Sequence, residues 1–156
     1  IKELLKNPAN PQKAIVDLQD ENTVLKKQLE ALLKDKAKNL KGDLIHEVEN
    51  INGVNFLAKK LDLDQNSIKD LCFDLGNQLD NMFLLIASEV DGKAFLTCYI
   101  AKNLVEEKQL DAGKVVRELG KLIHGGGGGQ PYFATAGGRN PEGIEKALEE
   151  SKRYIL

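Results

Sequence analysis

The sequence feature that most constrains the fold is a run of five glycines, Gly125–Gly129, which a Gly137-Gly138 pair follows. Glycine loses more backbone entropy on folding than any other residue, so such a run requires a reason. A disordered linker has polar, low-complexity flanks, whereas apolar Leu122-Ile123 precede this run and PYFATAGG follows it. We therefore predict an ordered loop between a helix that ends at residue 123 and a short strand around residues 132–135. This loop either packs the helix tightly on a sheet or presents a concave set of backbone amides to an anion.

The second glycine cluster is the better predicted place for an anion. Gly125 follows a predicted helix C-terminus, where the partial negative charge repels phosphate. Gly137, Gly138 and Arg139 precede the last predicted helix, whose N-terminal amides favour an anion, and a guanidinium binds phosphate in a bidentate manner. The glycines form neither a Walker loop, because no Gly-Lys-Ser/Thr follows, nor a dinucleotide fingerprint, because they follow a helix. We expect an anion to lie nearer Gly138 than Gly126.

The N-terminal part of the chain predicts a helical arm. Asn10 can cap the helix, and Pro11 suits its first position. Residues then recur at spacings of three and four on one face, with a single Asn among them, which is typical of a short coiled coil. The predicted dimerisation residues are Leu18, Asn22, Leu25, Leu29 and Leu32. Because this seam is short, the arm of roughly 26–30 residues either pairs with a second copy or packs on its own flanking helices.

After Gly42 the pattern changes to alternating strands and helices. Asn52-Gly53 and Asp91-Gly92 each predict a hairpin between β-compatible runs, and Ser67 is predicted to cap the helix between them. The predicted order after the arm is β-β-α-β-β-α-β-α, an α+β fold in which helices cover a central sheet. We place the arm at residues 1–42 and the globular domain at residues 43–156. Because the chain begins with Ile1 rather than Met, we expect a piece of a longer protein.

The charge balance excludes a uniformly basic nucleic-acid binder. The formal net charge is -2, which still permits local basic faces. One candidate is the stripe formed by Lys114, Arg117 and Lys121 on a predicted helix, although the nearby Glu118 reduces its field. The second is the arm, which holds six lysines and two acidic residues between positions 26 and 41. An ordinary solvated helix surface explains both patterns equally well.

The remaining side chains give no sign of catalysis. Cys72 and Cys98 lie in apolar runs, so we predict buried free thiols. No cluster of His and Cys could hold zinc, and no catalytic constellation stands out, so we expect neither a bound cofactor nor enzymatic activity. No apolar run is long enough to span a membrane and no signal peptide is visible, so we expect a cytoplasmic location without a membrane partner.

Several stretches resemble a known family. VDGKAFLTCYI, EEKQLDAGKVVRELGKLIHGGGGGQPYFATAGG and NPEGIEKALE are similar to the DHH-associated domain at the C-terminus of alanyl-tRNA synthetases, a family shared with DHH phosphoesterases. NGVNFLAKKLD resembles the first hairpin of that domain, and the arm resembles the helical segment that precedes it. The resemblance covers essentially the whole chain.

This resemblance implies a tRNA-binding and dimerising module. In the family, the domain contacts the outer corner of tRNA and helps couple aminoacylation with the removal of mischarged amino acids. The resemblance assigns RNA binding to Gly125, Gly126, Gly127, Gly128, Gly129, Gly137 and Gly138. Gln130-Pro131 departs from the family pattern, which has a cation there, and Tyr132 offers a ring that can stack on a base.

The same resemblance assigns the catalytic work to a different part of the protein. The adenylate-forming and editing sites of the longer ligase, with ATP, Mg and Zn, are expected upstream of Ile1. Two alternatives stay open: a module that mainly forms homodimers and contacts RNA weakly, and the substrate-binding domain of a DHH phosphoesterase.

Overall fold

The computed structural model describes residues 3–6 and 8–156. The predicted arm starts at residue 1, so positions 1, 2 and 7 of that prediction lie outside the described residues. The chain divides into two compact units, one that ends at Lys36 and one that spans Ala37–Leu156.

The first helix, α1, spans Pro11–Glu47 and is longer than predicted. The predicted start is confirmed, because the side-chain oxygen of Asn10 accepts a 3.1 Å hydrogen bond from the Lys13 amide. The helix does not stop near Gly42, and residues 43–47, where the sequence predicts a change to β-compatible runs, are helical. The physical reason is tertiary packing: Leu44 is fully buried among apolar residues of the second unit. In the same part of α1, Lys41 pairs with Asp74 at 3.5 Å.

A six-stranded mixed sheet forms the second unit. Its strand order is β1-β2-β3-β4-β6-β5, and only β2 and β3 are parallel. The strands are β1 (Glu49–Ile51), β2 (Val54–Lys60), β3 (Met82–Val90), β4 (Lys93–Ile100), β5 (Gly125–Gln130) and β6 (Phe133–Gly138). The helices are α2 (Gln65–Gln78), α3 (Lys102–Lys108), α4 (Ala112–Leu119) and α5 (Ile144–Glu150), with 3-10 turns at Pro141–Gly143 and Ser151–Tyr154.

Both predicted hairpins are confirmed. Asn52 and Gly53 connect β1 to β2, and Asp91 and Gly92 connect β3 to β4, all four with positive φ between 51° and 79°. Two residues of positive φ are what a tight type I′ hairpin turn requires.

Helices cover both faces of the sheet, which confirms the predicted fold class. One core cluster joins a sheet face to α3, α4 and α5, and the other joins the opposite face to α2 and the end of α1. Both cysteines are buried free thiols, as predicted, and burial raises the pKa of Cys72 to about 12. The protein core therefore lies in two layers, above and below the sheet.

Three local predictions need correction. Asp64, not Ser67, caps α2, and the helix begins at Gln65. The Asp64 carboxylate accepts hydrogen bonds from the backbone amides of Asn66 and Ser67 at 3.1 and 3.2 Å. Helix α3 is an element that the predicted order lacks. It has seven residues and one buried side chain, Leu104, so it is too short to show a helical period in the sequence. Helix α4 ends at Leu119 rather than at residue 123, and turns follow.

Candidate nucleic-acid interface

The glycine run is a strand, so the predicted loop is wrong. β5 pairs with β6 in antiparallel register, and it lies at the edge of the sheet. Gly125 lies opposite Gly138, and Gly126 lies opposite Gly137. The two glycine clusters are thus cross-strand partners, and a concave loop of free amides does not form.

Three alternate glycines of β5 are required by packing. A Cβ built at Gly125, Gly127 or Gly129 would overlap the backbone of β6, closer than any real Cβ approaches. Helix α4 also lies close to this strand, because a Cβ at Gly113 would be 3.2 Å from the carbonyl oxygen of Gly129. The structural explanation of the glycine run therefore holds at these positions.

The two intervening glycines have room for a side chain. A Cβ at Gly126 would meet nothing within 4 Å, and a Cβ at Gly128 would meet only the Arg117 guanidinium, at 4.0 Å. Gly126 is exposed and Gly128 is half-buried, and their cross-strand partners, Gly137 and Thr135, are exposed. The result is a strip of bare, accessible backbone along the β5-β6 hairpin, which packing does not explain.

Basic side chains border this strip. Lys114 and Arg117 are exposed on α4, and Lys121 is exposed in the turn after it. Arg139 is exposed just beyond the end of β6. Within the described part of the chain, none of these four side chains forms an ion pair.

Glu118, the acidic residue next to this stripe, is engaged by other side chains. Its carboxylate accepts hydrogen bonds from the Tyr154 hydroxyl at 2.6 Å and from the Arg153 guanidinium at 3.0 Å. The Tyr154 hydrogen bond, followed by the positive charge of Arg153, lowers the pKa of Glu118. Its negative charge is therefore partly compensated, and it weakens the basic stripe less than the sequence predicts.

The last helix does not begin where the predicted anion site at Gly138 and Arg139 requires it, so the helix argument for that site is wrong and the site itself stays a prediction. Gly137 and Gly138 are strand residues, and Arg139 precedes a 3-10 turn rather than an α-helix. The side chain of Asn140 does not cap that turn. The side-chain amide donates instead to the Leu122 carbonyl at 3.3 Å. Strand pairing wins because β4 and β5 on either side satisfy the backbone of β6.

Tyr132 lies at the tip of the β5-β6 hairpin. Its side chain is 38% exposed, and the ammonium group of Lys102 is 5.9 Å from the centre of its ring. Sequence reasoning missed Lys102 and its neighbour Asn103, because no motif joins α3 to the glycine run. Lys102 and Tyr132 meet only because β4, which leads into α3, pairs with β6.

The predicted dimerisation residues lie on α1 and are exposed. Leu18, Leu25, Leu29 and Leu32 each expose more than half of their surface, and Asn22 lies exposed among them. They belong to the unit that ends at Lys36, where large apolar side chains have no cover within the described chain.

The sequence and the fold agree with known proteins. Residues 53–156 match the family model described as the DHHA1 domain. The chain belongs to the DHHA1 domain family. The family model does not include α1, but the similarity to whole curated proteins covers 99% of the chain and includes this helix.

Relatives of this DHHA1 domain chain are alanine–tRNA ligases. It is 61% identical to the alanine–tRNA ligase of Christiangramia forsetii and 47% identical to that of Flavobacterium psychrophilum, in both cases over 99% of its length. The chain spans 18% of the length of each ligase.

A solved structure shares the fold. The C-Ala domain of Aquifex aeolicus alanyl-tRNA synthetase superimposes with a TM-score of 0.63 and 24% identity, over 69% of this chain and 96% of that domain. The resemblance that the sequence predicts is therefore confirmed.

The described residues hold neither a candidate metal site nor a helix that could span a membrane. No three His, Cys, Asp or Glu side chains among residues 3–6 and 8–156 are grouped so that they could hold a metal ion. No helix in the described chain is both long and apolar enough to cross a lipid bilayer.

Proposed function

We propose that this DHHA1 domain chain is a tRNA-binding part of an alanine–tRNA ligase and that the β5-β6 hairpin contacts the RNA. The similarity to two alanine–tRNA ligases over 99% of the chain supports the parent activity. One observation of the structure carries the site: Gly126 and Gly128 are glycines where the fold leaves room for a side chain. A ligand that approaches the backbone closely accounts for both.

A phosphate backbone suits this surface. Bare strand backbone lets a polyanion come close, and Arg117, Lys114, Lys121 and Arg139 border it with positive charge. Phosphate contacts of this kind fix position without reading sequence. In this proposal the contact is the outer corner of tRNA, whose shape is shared among tRNAs, so alanine identity is read elsewhere in the ligase.

The proposed role is to hold the RNA and not to perform the chemistry. Binding at the outer corner keeps one tRNA available to both the aminoacylation site and the editing site, which couples the two reactions. The catalytic groups, with ATP, Mg and Zn, belong in this proposal to the remainder of the ligase, and the chain has no reaction of its own.

Adding side chains to the open strip tests this role. We expect Gly126→Val combined with Gly128→Val to weaken tRNA binding at least tenfold, because the new methyl groups occupy the space that the RNA backbone needs. The melting temperature should be unchanged or higher, since both Cβ positions are open and valine favours a strand. The measurements are a fluorescence titration with tRNA and a thermal melt.

Two matched variants complete that experiment. Gly42→Ala also adds a methyl group in open space, but on α1, and should leave tRNA binding unchanged. Gly127→Ala should lower the melting temperature, because its methyl group overlaps Thr135 and Ala136. If the double valine variant binds tRNA as well as the wild type, the hairpin does not contact the RNA.

Homodimerisation through α1 is the second proposed function. The specific observation is the row of exposed leucines, Leu18, Leu25, Leu29 and Leu32. An apolar row at heptad spacing with one Asn suits pairing with a second copy of the same helix. Dimer formation and RNA binding use different residues, so the two functions are compatible.

A further inference from the structure

A cleft opens beside the tip of the β5-β6 hairpin. It has a volume of about 780 Å³ and is lined by the end of α2, the segment that leads into β3, the end of β4, the start of α3 and Tyr132. Because Pro131 and Tyr132 are the two residues between β5 and β6, the cleft begins where the glycine strand ends.

One wall of the cleft is a fixed group of aromatic rings. Phe73 packs edge to face with Tyr99 at 5.4 Å and stacks on Phe133 at 5.3 Å between ring centres. Tyr99 lies directly on the backbone of α2, since a Cβ at Gly76 would overlap its ring. Gly76 is thus required for the position of Tyr99, and the wall is held from two sides.

Tyr132 and Lys102 also line the cleft. The Tyr132 ring is partly exposed at the hairpin tip, and the Lys102 ammonium lies 5.9 Å from its centre. The lining of the cleft therefore includes aromatic rings and a cation.

Polar groups also line the cleft, and one of them is the Asp80 carboxylate. The Asn103 side-chain amide donates to the side-chain oxygen of Asn81, and the side-chain nitrogen of Asn81 donates to the Gly53 carbonyl at 3.2 Å, so this pair is part of the framework. Asn77 is exposed where it lines the cleft, and Tyr99 is half-buried there. An amide offers both donors and an acceptor, which is what the edge of a nucleobase requires.

We propose that this cleft binds one unpaired nucleobase of the RNA that the glycine hairpin holds. The base stacks on the tyrosine rings, its edge pairs with the Asn77 amide, and its phosphate lies near Lys102. The inference rests on the proposed RNA binding and deepens it, because it adds a contact that a fully paired helix cannot make. Continuity with β5 supports it: RNA that follows the glycine strand arrives at Tyr132.

Free nucleotides test the cleft directly. We would titrate the 15N-labelled chain with each nucleoside 5′-monophosphate and with ribose 5-phosphate, and follow the amide resonances by NMR. The expected result is saturable shifts at Asn77, Tyr99 and Tyr132 for at least one nucleotide and none for ribose 5-phosphate. Equal shifts with ribose 5-phosphate, or no shifts with any nucleotide, would overturn the assignment of a nucleobase.

Variants link the cleft to RNA binding. Tyr132→Leu and Asn77→Ala should each weaken tRNA binding, the first roughly tenfold, which is the typical effect of losing one base-stacking ring. Gly76→Ala, which displaces the Tyr99 ring, should weaken binding while the chain stays folded. Asn66→Ala is the matched control, an exposed asparagine on the first turn of the same helix.

The outcomes separate this inference from the proposed function. If the wild type binds tRNA in a salt-dependent manner and the cleft variants bind equally well, the nucleobase site is wrong and RNA binding stands. If the wild type does not bind tRNA at all, the proposed function fails, and the nucleotide titration alone decides whether the cleft takes a base.

Discussion

Gly127 and Gly128 are neighbours in the chain, yet the space around them differs. A Cβ at Gly127 would overlap β6, whereas a Cβ at Gly128 would meet only the end of the Arg117 side chain. The glycine run therefore has two separate causes, one in packing and one in the access that it leaves to the backbone. Composition does not distinguish the two causes, because it shows only that all five residues are glycine.

Asp64 provides a pH-dependent prediction at this scale. The hydrogen bond from the Ser67 hydroxyl, supported by backbone amides, lowers the pKa of Asp64 below its ordinary value of 3.8. A carboxylate with a lower pKa in the folded state contributes stability above its unfolded pKa, and that contribution is lost as the pH falls through the folded pKa. We expect Asp64→Ala to cost about 1 kcal/mol of unfolding free energy at neutral pH.

Urea unfolding of both proteins at neutral pH and at about pH 2.5 measures this effect. The difference between wild type and Asp64→Ala should shrink as the pH falls, because the carboxyl group loses its charge as it becomes protonated. Asp64→Asn retains a neutral cap and should keep part of the stability at both pH values. A difference of the same size at both pH values would show that the charge of Asp64 does not contribute.

Helix α4 is the element that connects packing to the proposed RNA surface. Its buried side, including Val115, Val116 and Leu119, packs in the core, while Lys114 and Arg117 are exposed. The helix lies close to the hairpin, since a Cβ at Gly113 would lie 3.2 Å from the carbonyl oxygen of Gly129 and a Cβ at Gly120 would lie 3.5 Å from the Cα of Gly126. The helix thereby brings its basic face beside the glycine strand.

Charge reversal on this element tests its electrostatic role. We expect tRNA binding to weaken in the triple variant Lys114→Glu, Arg117→Glu and Lys121→Glu. The slope of log affinity against log salt concentration should fall in magnitude by about 2–3, because each lost phosphate contact removes roughly one released counterion. Binding titrations at several salt concentrations give this slope.

The matched control reverses three exposed lysines elsewhere, Lys69, Lys93 and Lys146, and changes the net charge equally. It should alter affinity much less than the α4 variant does. Equal losses in both triple variants would mean that net charge, and not the α4 stripe, determines binding.

At the scale of the whole molecule, the two units differ in how they bury apolar surface. The unit Ala37–Leu156 encloses its large side chains between a sheet and helices. The preceding unit exposes leucines along α1, which a single helix has no means to cover. A second copy of the chain is the partner that we propose for this row.

Analytical ultracentrifugation tests that pairing. We expect the wild type to form dimers at high micromolar concentration and Leu25→Lys with Leu29→Lys to be monomeric, because burying two lysines in the seam is costly. Gln28→Lys with Ala31→Lys makes the same charge change outside the seam and should leave the dimer intact. A wild type that stays monomeric throughout would exclude the seam from self-association.

Local signals in the sequence were sufficient for several features. The Asn52-Gly53 and Asp91-Gly92 turns, the Asn10 cap, the buried cysteines and the covered sheet all follow from residues near one another in the chain. Each depends on backbone preference or apolar periodicity, which short-range interactions determine.

The sequence by itself thus determined the fold class, both hairpins and the family resemblance. Only the tertiary structure decided that the glycine run is an edge strand, that α1 continues to Glu47, and that Tyr132 faces a cleft beside Lys102. The physical reason is that these features depend on partners distant in sequence: β6 for the glycines, the apolar cluster around Leu44 for α1, and the pairing of β4 with β6 for the cleft. A residue's own preferences do not reveal such partners.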